Sequence, residues 1–222
     1  MKKSKLFISQ ALVLFLPLVY FIFKWTDLPA EVPVHFDGTW QVNRWGSKYE
    51  LLGTLVFIAL IAFGTSILIN NISFLDPKKK LSSDNPIVRK ISWVIVVFMA
   101  VISALIVNSS INLGQGLNTI YSMKYFFALF AILFLVLGNL MNNIKQNYFI
   151  GFRTPWNLED ESNWKKTHHL ASKLWFFGGL TLLIMIMLFN ESSAKFILMI
   201  GLIPMVLIPF IYSYKLYKSK DK

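Results

Sequence analysis

An all-α membrane protein with six transmembrane helices and both termini cytoplasmic is the fold class this sequence predicts, and three observations carry it. Charged residues make up 15% of the chain and hydrophobic ones 55%, whereas a soluble domain holds about a quarter charged. Six stretches, 6–23, 51–73, 91–107, 125–141, 174–190 and 196–213, contain no Asp, Glu, Lys or Arg, and each meets the ~17-residue lower limit for a spanning helix. The basic residues divide 17 to 5 between alternate connections. An excess of Lys and Arg marks the cytoplasmic side, which orients the chain.

The elements follow in order. Lys2, Lys3 and Lys5 before an apolar run have the outline of a signal peptide. The run from Leu6 to Phe23 is longer than a signal core, however, and "KWTDLPAEVP" offers no small-x-small cleavage site, so a retained helix is expected. The outer loop 24–50 contains Pro29, Pro33, Asp37-Gly38 and Gly46. Its "VPVHF", Asp-Gly and "TWQVNRW" fit a small hairpin with a two-residue turn, in which Pro33 restricts its strand to an edge. An extended cap lying on the outer membrane face fits the same residues.

The inner segment 74–90, "FLDPKKKLSSDNPIVRK", is polar and turn-rich and reads as a linker. Segment 108–123 is polar but uncharged, suited to a shallow re-entrant or a polar loop. The short "ESSAK" makes the last two helices antiparallel neighbours, and Pro17, Pro204 and Pro209 fall within spans, where kinks are tolerated. The expected organisation is an amino-terminal two-helix unit over 1–73, a linker over 74–90, and a four-helix unit over 91–222 with an inner loop at 142–170. No internal repeat of the kind common in transporters is visible.

Composition also excludes function classes. The net charge of +11 is accounted for by cytoplasmic Lys beside anionic headgroups, at about 1 kcal/mol each. The partner this implies is the lipid bilayer, with no direct nucleic acid. The absence of cysteine rules out disulfides and thiolate metal sites. Intramembrane ionisable residues mark ion and proton pathways, and these spans hold none, which counts against an energised transporter. No nucleophile–base pair and no complete metal set is visible, so neither an enzyme, a cofactor nor a metal is expected. His35 with Asp37 supplies two ligands where zinc takes three or four. Consecutive His168 and His169 point about 100° apart on a helix and do not share an ion.

The stretch "NYFIGFRTPWNLEDESNWKKTHH", 147–169, is too elaborate for a plain connection. Asn157 can cap a helix that starts at Leu158, with Glu159, Asp160 and Glu161 in its first turn, where the dipole favours negative charge. Gly151 permits unusual dihedrals, while Pro155 fixes one and extends Thr154. Arg153 then presents a rigid five-donor fork suited to carboxylate, phosphate or carbonyl groups. Trp164, His168 and Trp175 fall at i, i+4 and i+11, on one helix face. Arg153 beside this aromatic stripe outlines a docking surface. The plainer reading is one more cytoplasmic charge beside Trp156 and Trp164 as headgroup-level anchors.

These residues carry a resemblance. Asn147, Gly151, Arg153, Thr154, Pro155, Trp156, Leu158, Trp164, Thr167 and His168 match the signature of the SdpI family, six-helix bacterial membrane proteins. Leu28, Pro29, Pro33, His35, Phe36, Gly38, Ser47 and Lys48 are similar to the amino-terminal domain of unknown function that accompanies it. Many relatives have Asn after the aromatic residue and Pro-Asp after Gly. Asp37 and Thr39-Trp40 stand there in this chain, which implies a different outer-loop specificity.

The resemblance implies a non-enzymatic immunity protein that protects the producing bacterium from a secreted antimicrobial toxin peptide. It also implies a second, signalling task, holding a cytoplasmic winged-helix repressor at the membrane. The toxin would meet the outer loop at Pro33, His35, Phe36, Gly38, Trp40 and Lys48. The inner partner would meet Asn147, Gly151, Arg153, Thr154, Pro155, Trp156, Trp164 and His168. A small exporter or permease is the alternative from another class.

Overall fold

The structure, a computed structural model, describes residues 3–37, 42–75, 85–114 and 120–220. Six of its helices are long and apolar enough to cross a membrane. These are α1 (Lys3–Phe23), α2 (Lys48–Asn70), α4 (Pro86–Gly114), α5 (Ile120–Met141), α7 (Glu161–Leu188) and α8 (Glu191–Lys218), while α3 (Ile72–Leu75) and α6 (Pro155–Glu159) are short. β1 (Glu31–Phe36) and β2 (Val42–Ser47) stand between α1 and α2. The protein is a multi-pass helical membrane protein. Its helices leave Leu, Ile and Phe exposed along their length, as a hydrocarbon solvent requires.

Several spans run further than the charge-free runs. α4 begins inside the expected linker and continues through Asn108–Gly114 of the expected polar loop. At 29 residues and ~1.5 Å per residue it reaches ~43 Å, past the ~30 Å hydrocarbon core. "ESSAK" is not a loop but the first turn of α8, capped by Asn190, whose side chain accepts from Ser193 N. The turn between α7 and α8 is reduced to Phe189 and Asn190. Residues 76–84 of the linker, and 115–119, lie outside the described residues.

The chain forms two compact units, one from 1–67 and 95–126, the other from 68–94 and 127–222. This interleaved grouping differs from the expected division at 74–90. In the first unit, β1 and β2 pair antiparallel with Pro33 opposite Trp45, so the hairpin alternative holds. The last described pair is Phe36 with Val42; the expected two-residue turn runs into residues 38–41, outside the described residues. The ladder is irregular between Pro33 and Phe36, next to the residue that has no N–H to give.

The hairpin is anchored on a core of Phe21, Leu28, Val32, Leu51, Leu55, Val107 and Ile111. Ser66 Oγ donates to Gln10 Oε1 across 2.5 Å, fully buried, and joins α1 to α2. Such pairs link helices where the alternative is an unpaired polar group in hydrocarbon.

In the second unit, α5 and α7 approach through glycines. A Cβ on Gly138 would fall 2.8 Å from the Trp175 carbonyl carbon, and one on Gly179 would fall 2.6 Å from Leu135 N. Small residues let membrane helices pack backbone to backbone in this way. α7 and α8 pack along much of their length. Pro209 has no N–H for the Met205 carbonyl one turn before it. Trp175 Nε1 reaches across from α7 and donates to that carbonyl at 2.8 Å.

Candidate functional site

The segment from Asn142 to Asp160 is a connected polar structure rather than a slack loop. Asn147 is buried and uses its whole amide. Its Nδ2 donates to the carbonyls of Lys145 (2.8 Å) and Ile150 (3.0 Å), and its Oδ1 accepts from the N–H groups of Phe149 (2.8 Å) and Ile150 (2.7 Å). The turn ends at Gly151, at φ +108°, a conformation that costs other residues energy. A Cβ there would also overlap His168 Nε2.

His168 closes the turn from α7. Its Nε2 accepts from Phe152 N at 3.1 Å, so the proton sits on Nδ1, which donates to the Trp164 carbonyl at 2.8 Å. The imidazole stacks on the Trp164 indole with ring centroids 4.0 Å apart. The indole N–H in turn donates to the Ile144 carbonyl at 2.8 Å. Trp164 and His168 are each 1% exposed. They share a face as the spacing predicts, but the loop folds over that face. The expected docking role is therefore corrected: both side chains shape the turn and offer no surface. Trp175 completes the group against Phe152, 5.7 Å away.

Asn157 is not the helix cap. Thr154 and Pro155 start α6 one turn earlier, and Asn157 is fully buried. Its Nδ2 donates to the Phe152 carbonyl at 3.0 Å, and its own carbonyl accepts from Gln146 Nε2 at 2.7 Å. Asp160 caps α7 instead by accepting from Ser162 N at 2.9 Å, which leaves Glu161 as the acid in that first turn.

Lys220 Nζ, 2.6 Å from Asp160 Oδ2, holds the Asp160 carboxyl below its usual range. A depressed carboxylate stabilises the fold above its unfolded value of about 4, and the effect fades as pH falls through the lower folded value. Asp160→Ala should cost about 1 kcal/mol at neutral pH, the usual worth of an N-cap. Thermal unfolding across pH checks this: the gap between variant and wild type should close in acid.

α8 supplies the other wall. Ser213 Oγ accepts from Trp156 Nε1 and lies 3.3 Å from Thr154 Oγ1, while its carbonyl accepts from Asn163 Nδ2 at 3.0 Å. Phe210, Tyr214 and Tyr217 pack around the Trp156 ring. Ser213, Asn157, Asn163, Gln146 and Phe152 were not among the expected site residues. The only signal of the four polar ones in the sequence is a polar side chain near a helix end, and Phe152 carries none.

Arg153 and Pro155 are the exposed members of the Arg-Thr-Pro-Trp turn, and Arg153 is the charged one. Its Nη1 donates to the Tyr148 carbonyl at 2.8 Å, and Phe149, the next residue in the chain after Tyr148, is exposed.

In the first unit, His35 is exposed and pairs through Nδ1 with Asn43 Oδ1 at 2.6 Å. Pro33 is buried, and Lys48 is turned inward, donating to the Trp25 carbonyl at 3.0 Å and lying over that indole at 5.2 Å. Pro33 therefore presents no open contact surface, and Lys48 is half-buried. Gly38 and Trp40 lie outside the described residues.

A multi-pass helical membrane protein with a buried, hydrogen-bonded turn presenting one arginine is what this geometry defines. Residues 143–213 match the model of the SdpI/YfhL protein family, and residues 12–62 match a domain of unknown function (DUF1648). The chain is 27% identical over 222 residues to the immunity protein SdpI of Bacillus subtilis (strain 168), covering 99% of this chain and 98% of that one. No solved structure matches it.

Proposed function

We propose that this chain is an immunity protein that protects its bacterium from a secreted antimicrobial peptide. The observation that carries the reading is end-to-end similarity to an immunity protein, including the stretch that builds the Arg153 turn. The 17-to-5 division of basic residues supports an orientation with both termini and the Arg153 turn in the cytoplasm.

In that orientation the hairpin faces outward, with His35, Trp45 and Tyr49 exposed to an arriving peptide. Arg153 faces a cytoplasmic partner, for which the family resemblance suggests a winged-helix repressor. A relay between the two requires two states that bind the peptide with different affinity.

Survival of a sensitive strain tests this. Wild type should protect, and His35→Ala with Trp40→Ala should not. Arg153→Ala should protect, fold with a loss of only about 0.5–1.5 kcal/mol for one exposed hydrogen bond, and fail to hold the repressor at the membrane. Wild-type cells that survive no better than empty-vector cells against every candidate peptide would sink the immunity reading.

A further inference from the structure

Although α7 and α8 are packed together, a cavity of about 730 Å³ stays open along one side of the pair. It runs on α7 from Leu170 to Met185, ~22 Å at 1.5 Å per residue. Its walls include Phe177, Phe196, Ile200 and Pro204, and Lys173 is the one ionisable side chain among the described residues that line it. One lipid leaflet is about half of the ~30 Å hydrocarbon core, or ~15 Å. The groove therefore accommodates a single acyl chain with length to spare.

Its charge is one-sided. His169 and Lys166 lie four and seven residues before Lys173, on the same helix face. Among the described residues no carboxylate forms an ion pair with Lys173 or Lys166. At the opposite end Glu191 stands one turn before Lys195 and offsets it. An anionic group is thus attracted at the Lys173 end, and a Lys ammonium suits a phosphate as a point charge.

We propose that this groove is a binding site for an anionic phospholipid, with one acyl chain between α7 and α8 and the headgroup phosphate on Lys173. The proposal is independent of the immunity reading.

Delipidated protein in detergent is offered equal amounts of phosphatidylglycerol and phosphatidylcholine with identical chains, and retained lipid is counted by native mass spectrometry. Wild type should retain phosphatidylglycerol preferentially. Lys173→Gln should weaken that preference about fivefold, the factor equivalent to about 1 kcal/mol per Lys at an anionic surface. Lys195→Gln should leave it intact. Ile200→Trp, made from an exposed side chain, should reduce retention of both lipids by filling the groove, and free inorganic phosphate should not compete. Equal retention of the two lipids by wild type, or an unchanged preference in Lys173→Gln, overturns the headgroup assignment. Full lipid retention by Ile200→Trp at an unchanged thermal midpoint overturns the groove.

Discussion

Gly151→Ala is expected to destabilise the protein by on the order of 1–3 kcal/mol for the strained backbone alone. A comparable cost follows from forcing apart a packed neighbour. Both arise at one atom, since the new Cβ would sit at φ +108° and overlap His168 Nε2. The same substitution at Gly53, with nothing within 4 Å of its Cβ position, should be neutral or gain about 0.5–1 kcal/mol of helix propensity. Thermal midpoints in one detergent compare the pair.

The double variant Gly151→Ala with His168→Ala separates strain from clash. If the imidazole is the obstacle, the two changes together cost less than their sum, by a coupling of about 0.5–3 kcal/mol. A Gly151→Ala protein as stable as wild type would mean that neither the backbone conformation nor the imidazole constrains the turn. Arg153 is two residues further on, so a displaced Gly151 also moves the guanidinium.

The spans were legible because hydrocarbon leaves no alternative to long apolar helices. Their ends were less legible, because absence of charge marks the hydrocarbon and not the helix. Lys48 and Glu50 open α2, and Glu191 and Lys195 open α8, so a charge-free criterion trims both. The three acids at 159–161 fit one capped helix starting at Leu158. The chain instead makes two helices, because Pro155 suits the first position of α6 and Asp160 breaks it and caps the next.

The Trp164–His168 face shows a different limit. Periodicity puts two residues on one face but does not say what covers that face. The cover is the residue pair Gly151–Phe152, and its hydrogen bond spans 16 positions. The wall contributed by Ser213 is 50 residues from Asn163. No local pattern encodes either. Arg153, by contrast, was legible as an exposed member, since a guanidinium at a membrane edge has little reason to be buried unpaired.

Trp164→Ala should be the most damaging single change in this unit, at about 3–5 kcal/mol for a large aromatic removed from a packed interior. It removes the stack on His168 and the donor to the Ile144 carbonyl together. Trp164→Phe keeps a ring beside the imidazole and loses only the N–H. Its cost should be about 1–3 kcal/mol, the desolvation penalty of an acceptor left buried without its partner. Thermal midpoints and membrane levels of full-length protein order the series, with Trp164→Ala worst, Trp164→Phe intermediate and Arg153→Ala near wild type. On the proposal that Arg153 docks a cytoplasmic repressor, retention of that partner should follow a different order: Arg153→Ala loses it at normal protein levels, whereas Trp164→Ala loses it only in proportion to the protein lost. A Trp164→Ala protein that accumulates and melts like wild type would show that the buried stack does not hold the turn in place. Arg153 would then have to owe its position to the Tyr148 carbonyl and the Asn147 turn alone.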